Sequence, residues 1–214
     1  MFSLFISIPL GILFGTWAAL YRNRAIDNII SFWIVICISV PSFVFASLMQ
    51  YGLTFALPWF PTVYSSQGDL GERLYSMILP IIALSLNPIA SIARYLRGEL
   101  IETLSSDFML LARTKGLTRS EATFKHAFRN SLVPVANTII PMITGIMGGS
   151  MVIEKIFAVN GMGGLLIDSV LGGDHFLTVA LLIFYSAISL VTTLVVDISY
   201  GIIDPRIRVG GGRA

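Results

Sequence analysis

The chain has 214 residues, of which 55% are hydrophobic and only 12% charged, with a formal net charge of +2 and a mean hydropathy of +0.83. Soluble domains carry about twice that share of charged residues, which excludes a cytosolic enzyme, a disordered regulator and a disulfide-stapled secreted domain. The small net charge speaks against nucleic-acid binding, and a single cysteine, Cys37, rules out disulfide and zinc frameworks.

A helix needs roughly 20 mostly apolar residues to cross about 30 Å of hydrocarbon, and five runs have that character. The first covers 1–20 and stops at Tyr21-Arg22-Asn23-Arg24. Met1 opens straight into it with no basic stretch ahead, unlike a cleaved signal peptide. Either this span inserts as a reverse anchor or an earlier helix is missing from the chain, and the second reading is preferred. The second run, 29–57, holds no charge and contains Pro41 and Gln50; the third, 75–93, contains Pro80, Asn87 and Pro88. Proline is tolerated in membrane helices where neighbours satisfy the freed backbone groups.

The hydrophilic segment 94–131 follows. Leu96, Leu100, Leu104, Phe108 and Leu111 recur at spacings of four and three, which predicts a short amphipathic helix. Gly116 breaks the pattern, and Thr118 with Glu121 three residues later forms a capping-box signature for a second short helix carrying Ala122, Phe124, Ala127 and Phe128. Such a pair either lies on its own bundle and the lipid headgroups or docks a partner protein. The fourth and fifth runs are 132–153 and 176–203. In the fourth, Gly145, Gly148 and Gly149 are spaced for close helix approach. Asn87 and Asn137, polar groups inside spans, serve packing hydrogen bonds or a substrate path.

With five spans, segments 21–28, 94–131 and 204–214 share one side and hold 12 of the 14 basic residues, while Arg73 and Lys155 lie on the other. The positive-inside rule then puts the C-terminus in the cytoplasm and the N-terminus outside.

The run Ala112-Arg113-Thr114-Lys115-Gly116-Leu117, followed by His126-Ala127-Phe128-Arg129-Asn130 and Pro134, resembles the coupling segment of ABC importer permeases. Its form is that of the oligopeptide, dipeptide and nickel permease family. Three further stretches resemble the same family in order: Ser39-Val40-Pro41-Ser42-Phe43, Glu154-Lys155-Ile156-Phe157 with Gly161-Met162-Gly163-Gly164-Leu165, and Asp204-Pro205-Arg206-Ile207-Arg208. There are departures. Leu110, Leu111 and Ala112 stand where the general motif has Glu-Ala-Ala, Phe108 where tyrosine is usual, and Asn160 where proline is usual. Members typically carry a further N-terminal span and a large external segment, which this chain lacks.

The resemblance implies an all-α integral membrane fold, a five-span type I importer permease core with 94–131 as its cytoplasmic coupling segment. It implies a multi-pass subunit of a prokaryotic plasma membrane that moves peptides, or a small solute such as a nickel chelate, into the cytoplasm. It implies as partners a second permease subunit, identical or similar, two ATP-binding subunits and an extracytoplasmic substrate-binding protein. On the matching positions it implies that Ala112, Arg113, Lys115, Gly116, Leu117, Arg119, Phe124 and Arg129 contact the ATP-binding subunit. In that reading Gly116 permits a tight turn, Leu117 and Phe124 act as anchors, and the cations form a rim that fixes register.

No catalytic or cofactor-binding pattern is visible. A G-x-x-x-x-G-K-[ST] phosphate loop is absent, so ATP hydrolysis falls to another subunit. The two histidines, His126 and His175, lie in segments on opposite sides of the membrane and cannot share a metal. His126 reads as a solvated or interface residue, and Asp174-His175 as a helix-entry turn. The rival classes are a self-sufficient secondary transporter or channel, and a non-transporting scaffold. The first is disfavoured by the lack of ionisable residues inside the second and fourth runs.

Overall fold

The computed structural model describes residues 2–147 and 150–203. The Asp204–Arg208 motif, Gly148 and Gly149 lie outside the described residues. Among the described residues the regular structure is helical throughout. Three helices are long and apolar enough to cross a membrane: α1 (Phe2–Leu20), α5 (Ile78–Leu104) and α11 (His175–Ile203). The expected second span is two helices, α2 (Ala25–Ser39) and α3 (Ser42–Gln50), the latter running on into a wide π-type turn, Tyr51–Ala56. The two arms meet at 98°. The cause is local. Pro41 lacks an N–H and forces its predecessor out of the helical region, and Val40 is accordingly extended, at φ −91° and ψ 125°.

The centre of the fold is the α1–α5 pair. On α1 a small residue recurs every fourth position: Ser3, Ser7, Gly11, Gly15 and Ala19, all buried. Residues four apart share one helix face, so this stripe is a flat seam on which α5 lies. A Cβ on Gly11 would fall 2.7 Å from the Ile92 Cβ, and one on Gly15 would fall 2.7 Å from the Ala93 carbonyl oxygen. Farther toward the start of the seam the Ser7 hydroxyl donates to the Ser3 carbonyl (2.7 Å) and the Ser85 hydroxyl to the Ile81 carbonyl (2.6 Å). Ser3 meets Ser85, Gly11 meets Ile92, and Ala19 shares a cluster with Leu100, so the two helices run parallel.

Helix α2 packs beside this pair through Ile34 against Ala90 and Ala93, and α8 (Phe128–Met147) through Val135 against Ile92 and Leu96. α11 lies against α8 and α10 (Met162–Leu171), and most of its apolar surface stays exposed, Phe176 at 92% and Leu190 at 73%. At the end of the bundle where α5 begins, α4 (Leu70–Ser76) and α9 (Met151–Ile156) complete a cap. Ala46, Leu79, Ala83, Ile153 and Phe157 form its core. The Gln50 side-chain amide stitches it by donating to the Thr62 and Ile156 carbonyls (2.8 and 2.9 Å).

Candidate functional site

The hydrophilic segment is built on the far end of α5. The stripe from Leu96 to Leu111 does not form one helix: α5 extends without a break through Leu100 to Leu104, and the chain then turns at Ser105 and Ser106. α6 (Asp107–Thr114) begins a new register, so its buried residues are Met109 and Ala112, while Phe108 and Leu111 are exposed. The break is a matter of side-chain competition. The Ser106 hydroxyl donates to the Thr103 carbonyl at 2.6 Å and the Ser105 hydroxyl to the Ile101 carbonyl at 2.9 Å, offering the backbone an alternative to continued helix.

Gly116 closes α6. Its φ of +90° lies in the region that favours glycine, and its N–H donates to the Arg113 carbonyl at 3.0 Å. No atom lies within 4 Å of where a Cβ would stand, so the glycine is needed for its backbone and not for space. The capping box expected at Thr118 is formed. Thr118 Oγ1 accepts from the Glu121 N–H (3.3 Å), and Glu121 Oε2 accepts from the Thr118 N–H (3.0 Å). The Thr118 hydroxyl beside Glu121, helped by the Thr118 N–H, holds that carboxyl below its ordinary value. α7 (Arg119–Ala122) then passes through a wide turn, Thr123–Ala127, directly into α8. The second short helix is thus the entry of α8, which covers most of the expected fourth run.

The segment rests on its own small core of Ala19, Leu100, Met109, Ala112, Ala122 and Ala127, joined by Ile101, Leu104 and Leu117. The hydroxyls of Ser131 and Thr103 meet at 3.1 Å and tie α8 to α5 just beneath. The residues expected to face a partner therefore divide. Ala112 and Leu117 pack inward and hold the hairpin to the ends of α1 and α5. Arg113, Lys115, Gly116, Arg119, Phe124 and Arg129 are exposed, with Phe124 at 56%. Among the described residues none of these four cations is in an ion pair, which leaves an exposed basic rim around Gly116 and an exposed ring at Phe124. His126 is half-buried with its ring edge-on to Phe108 at 5.7 Å.

At the opposite end, the second glycine-rich stretch wraps one carboxylate. Glu154 Oε2 accepts the Gly164 N–H at 2.7 Å, in the first turn of α10. A Cβ on Gly161 would fall 2.4 to 2.5 Å from that carboxyl group. Lys155 donates to Asp168, and these residues line an open hollow of about 670 Å³ with Asn160 and Leu165. Asp174 Oδ1 accepts the Leu177 N–H at 3.0 Å and starts α11, as a helix-entry turn should. Of the two in-span asparagines, Asn87 accepts a weak bond from the Ser91 hydroxyl (3.4 Å), whereas Asn137 Oδ1 is buried without a partner.

One feature escapes sequence reasoning altogether. Asp27, in the first turn of α2, is 2% exposed and forms a two-point ion pair with Arg97 of α5. The only signal was an acid inside the basic stretch 21–28, with nothing to name a partner 70 residues away.

Residues 11–209 match the family described as the binding-protein-dependent transport system inner membrane component. The chain is 43% identical to the dipeptide transport system permease protein DppB of Lactococcus lactis subsp. cremoris, over 97% of this chain and 66% of that protein. It is 39% identical to the oligopeptide transport system permease protein OppB of Haemophilus influenzae, over 94% of this chain and 65% of that protein. The chain thus spans about two thirds of the length of the curated relatives it matches. Among solved structures, an amino acid ABC transporter with histidines superposes with a TM-score of 0.66 at 17% identity, covering 92% of this chain and 86% of that one, a likeness of fold. On the family match and these identities, the chain belongs to the inner membrane components of binding-protein-dependent transport systems.

Proposed function

We propose that this chain is a transport subunit, without an ATPase site of its own, in an ATP-driven importer that carries peptides or a related small solute such as a nickel chelate into the cytoplasm. It crosses a prokaryotic plasma membrane five times, N-terminus outside. A second permease subunit completes the pathway, two ATP-binding subunits dock on the cytoplasmic side, and a substrate-binding protein docks on the outer side. The peptide reading is supported by relatives named as dipeptide and oligopeptide permeases.

The observation that carries the reading is the hairpin 107–131, which is bonded to the membrane helices and yet exposes the basic rim around Gly116. A hairpin folded on the ends of α1 and α5 cannot be displaced without moving them. A partner cleft with acidic walls would find the basic rim electrostatically complementary. The orientation is supported by the concentration of basic residues in 94–131, and the parallel run of α1 and α5 puts the ends of both helices on the side of that segment.

The test is Gly116→Val, assayed for ATP-dependent uptake and for recovery of the ATP-binding subunit from detergent-solubilised membranes. Uptake should be lost while the chain still inserts. Normal uptake by the variant would remove the coupling role from this turn.

A further inference from the structure

Among the described residues Asp27 is the only charged side chain that is buried, and its carboxylate is saturated with donors. Arg97 Nε donates to Oδ1 at 2.6 Å and Nη2 to Oδ2 at 2.8 Å. The Asn23 N–H adds a bond to Oδ2 at 2.9 Å, and the Ser31 hydroxyl one to Oδ1 at 3.3 Å. Three parts of the chain converge here. They are the turn after α1, where Asn23 holds a φ of +62°, the first turns of α2, and the cytoplasmic half of α5.

The position of Arg97 on α5 gives the pair its meaning. Three residues on, Leu100 enters the core beneath the hairpin, followed by Ile101 and Leu104. One stretch of continuous helix therefore grips the hairpin with apolar side chains and grips α2 with a guanidinium fork. The two grips differ in kind. Apolar contacts are non-directional and can slide, whereas a bidentate arginine–carboxylate pair fixes both distance and angle. Separating a buried pair also strands an uncompensated charge, which is strongly unfavourable. A displacement of the hairpin that carries the end of α5 with it is therefore passed to α2 at a fixed distance and angle by Arg97 and Asp27, beside the apolar packing of Ile34 on Ala90 and Ala93.

We propose that Asp27 and Arg97 are positioning residues of the transport cycle: the joint that makes α2, and through it the Val40–Pro41 corner, follow the hairpin when the ATP-binding subunits close. This rests on the importer reading given above. Neither residue touches the substrate; both act by linking α5 to α2.

The test uses the intact importer reconstituted in proteoliposomes with its binding protein and a peptide, and reads ATP hydrolysed per peptide imported. Asp27→Asn and Arg97→Gln complexes, recovered at wild-type yield, should raise that ratio on the order of ten-fold, with Arg97→Lys, which keeps the charge and loses the fork, in between. An unchanged ratio in both variants overturns the proposal, whether the yield is full or reduced; in the reduced case the pair serves folding alone. If neither of these complexes assembles, Arg97→Lys decides by the same ratio. A wild-type chain that imports no peptide under ATP instead defeats the importer reading, a result that does not depend on the variants.

Discussion

Gly116 and Gly161 show two different demands on a glycine, and they separate by experiment. At Gly116 the surroundings are open and the backbone is the constraint. A β-branched residue there carries the strain of a left-handed backbone, about 1–2 kcal/mol, while asparagine tolerates it better. Gly116→Asn should therefore retain more ATP-dependent uptake than Gly116→Val, and equal losses would mean that the bare backbone surface itself is contacted. At Gly161 the demand is space, because a methyl group would meet the Glu154 carboxyl. Gly161→Ala displaces that carboxylate from the Gly164 N–H and should cost about 1–3 kcal/mol, the range for orphaning a partly buried donor. Thermal denaturation in detergent measures it. The same substitution in a Glu154→Ala background should cost clearly less, since residues in contact are not additive.

At the scale of elements, the seam of α1 is the most specific feature. Gly15 faces a main-chain carbonyl that cannot give way, so Gly15→Leu should force α1 off α5 and destabilise the protein by about 1–3 kcal/mol. Gly98, which faces open space on α5, is the contrast: Gly98→Ala should stabilise by about 0.5–1 kcal/mol, because only helix propensity changes. Both are read as shifts in melting temperature. Much of this level was legible beforehand. The capping box at Thr118 needed only two residues at the right spacing, whereas Pro41, visible inside its run, was read as tolerated within one span and not as the 98° corner it makes. The stripe of small residues in α1 was equally present but lay hidden in an apolar background. The Leu96–Leu111 pattern misled for the opposite reason, since a periodic stripe cannot report that Ser105 and Ser106 reset the register halfway along it.

For the whole molecule, the expected topology is open to direct labelling. In a chain with Cys37 replaced, a cysteine at Lys115 should react with an impermeant maleimide only in inverted vesicles, and one at Gln67 only in intact cells. The reverse pattern would invert the orientation. Composition and the ordered short motifs carried the architecture, because the need to hide backbone polar groups from lipid leaves little choice of fold. What they could not carry was pairing at long range. The contact of Ser3 with Ser85, the bond from Gln50 to Ile156 and the ion pair of Asp27 with Arg97 each join positions 70 or more apart. Such contacts follow from how helices cross, which no local spacing encodes. The candidate site was legible as a list of positions, but not as the division between Ala112 and Leu117 facing in and the basic rim facing out.

The corner at Val40–Pro41 carries one more implication. Fifteen residues of α2 rise about 22 Å, short of the roughly 30 Å that hydrocarbon requires, so in the proposed five-span topology the corner falls below the membrane surface. The first two N–H groups of α3, those of Ser42 and Phe43, have no helical acceptor behind them, the Pro41 carbonyl being taken by Val44 and Phe45, and acyl chains offer none. The corner must be sheltered by protein or wetted, and lipid cannot lie against it. Exchange of the Ser42 and Phe43 amides with deuterium, while those deep in α5 stay protected, would make this bend a place where water enters the thickness of the bilayer; protection at both would mean that protein covers it.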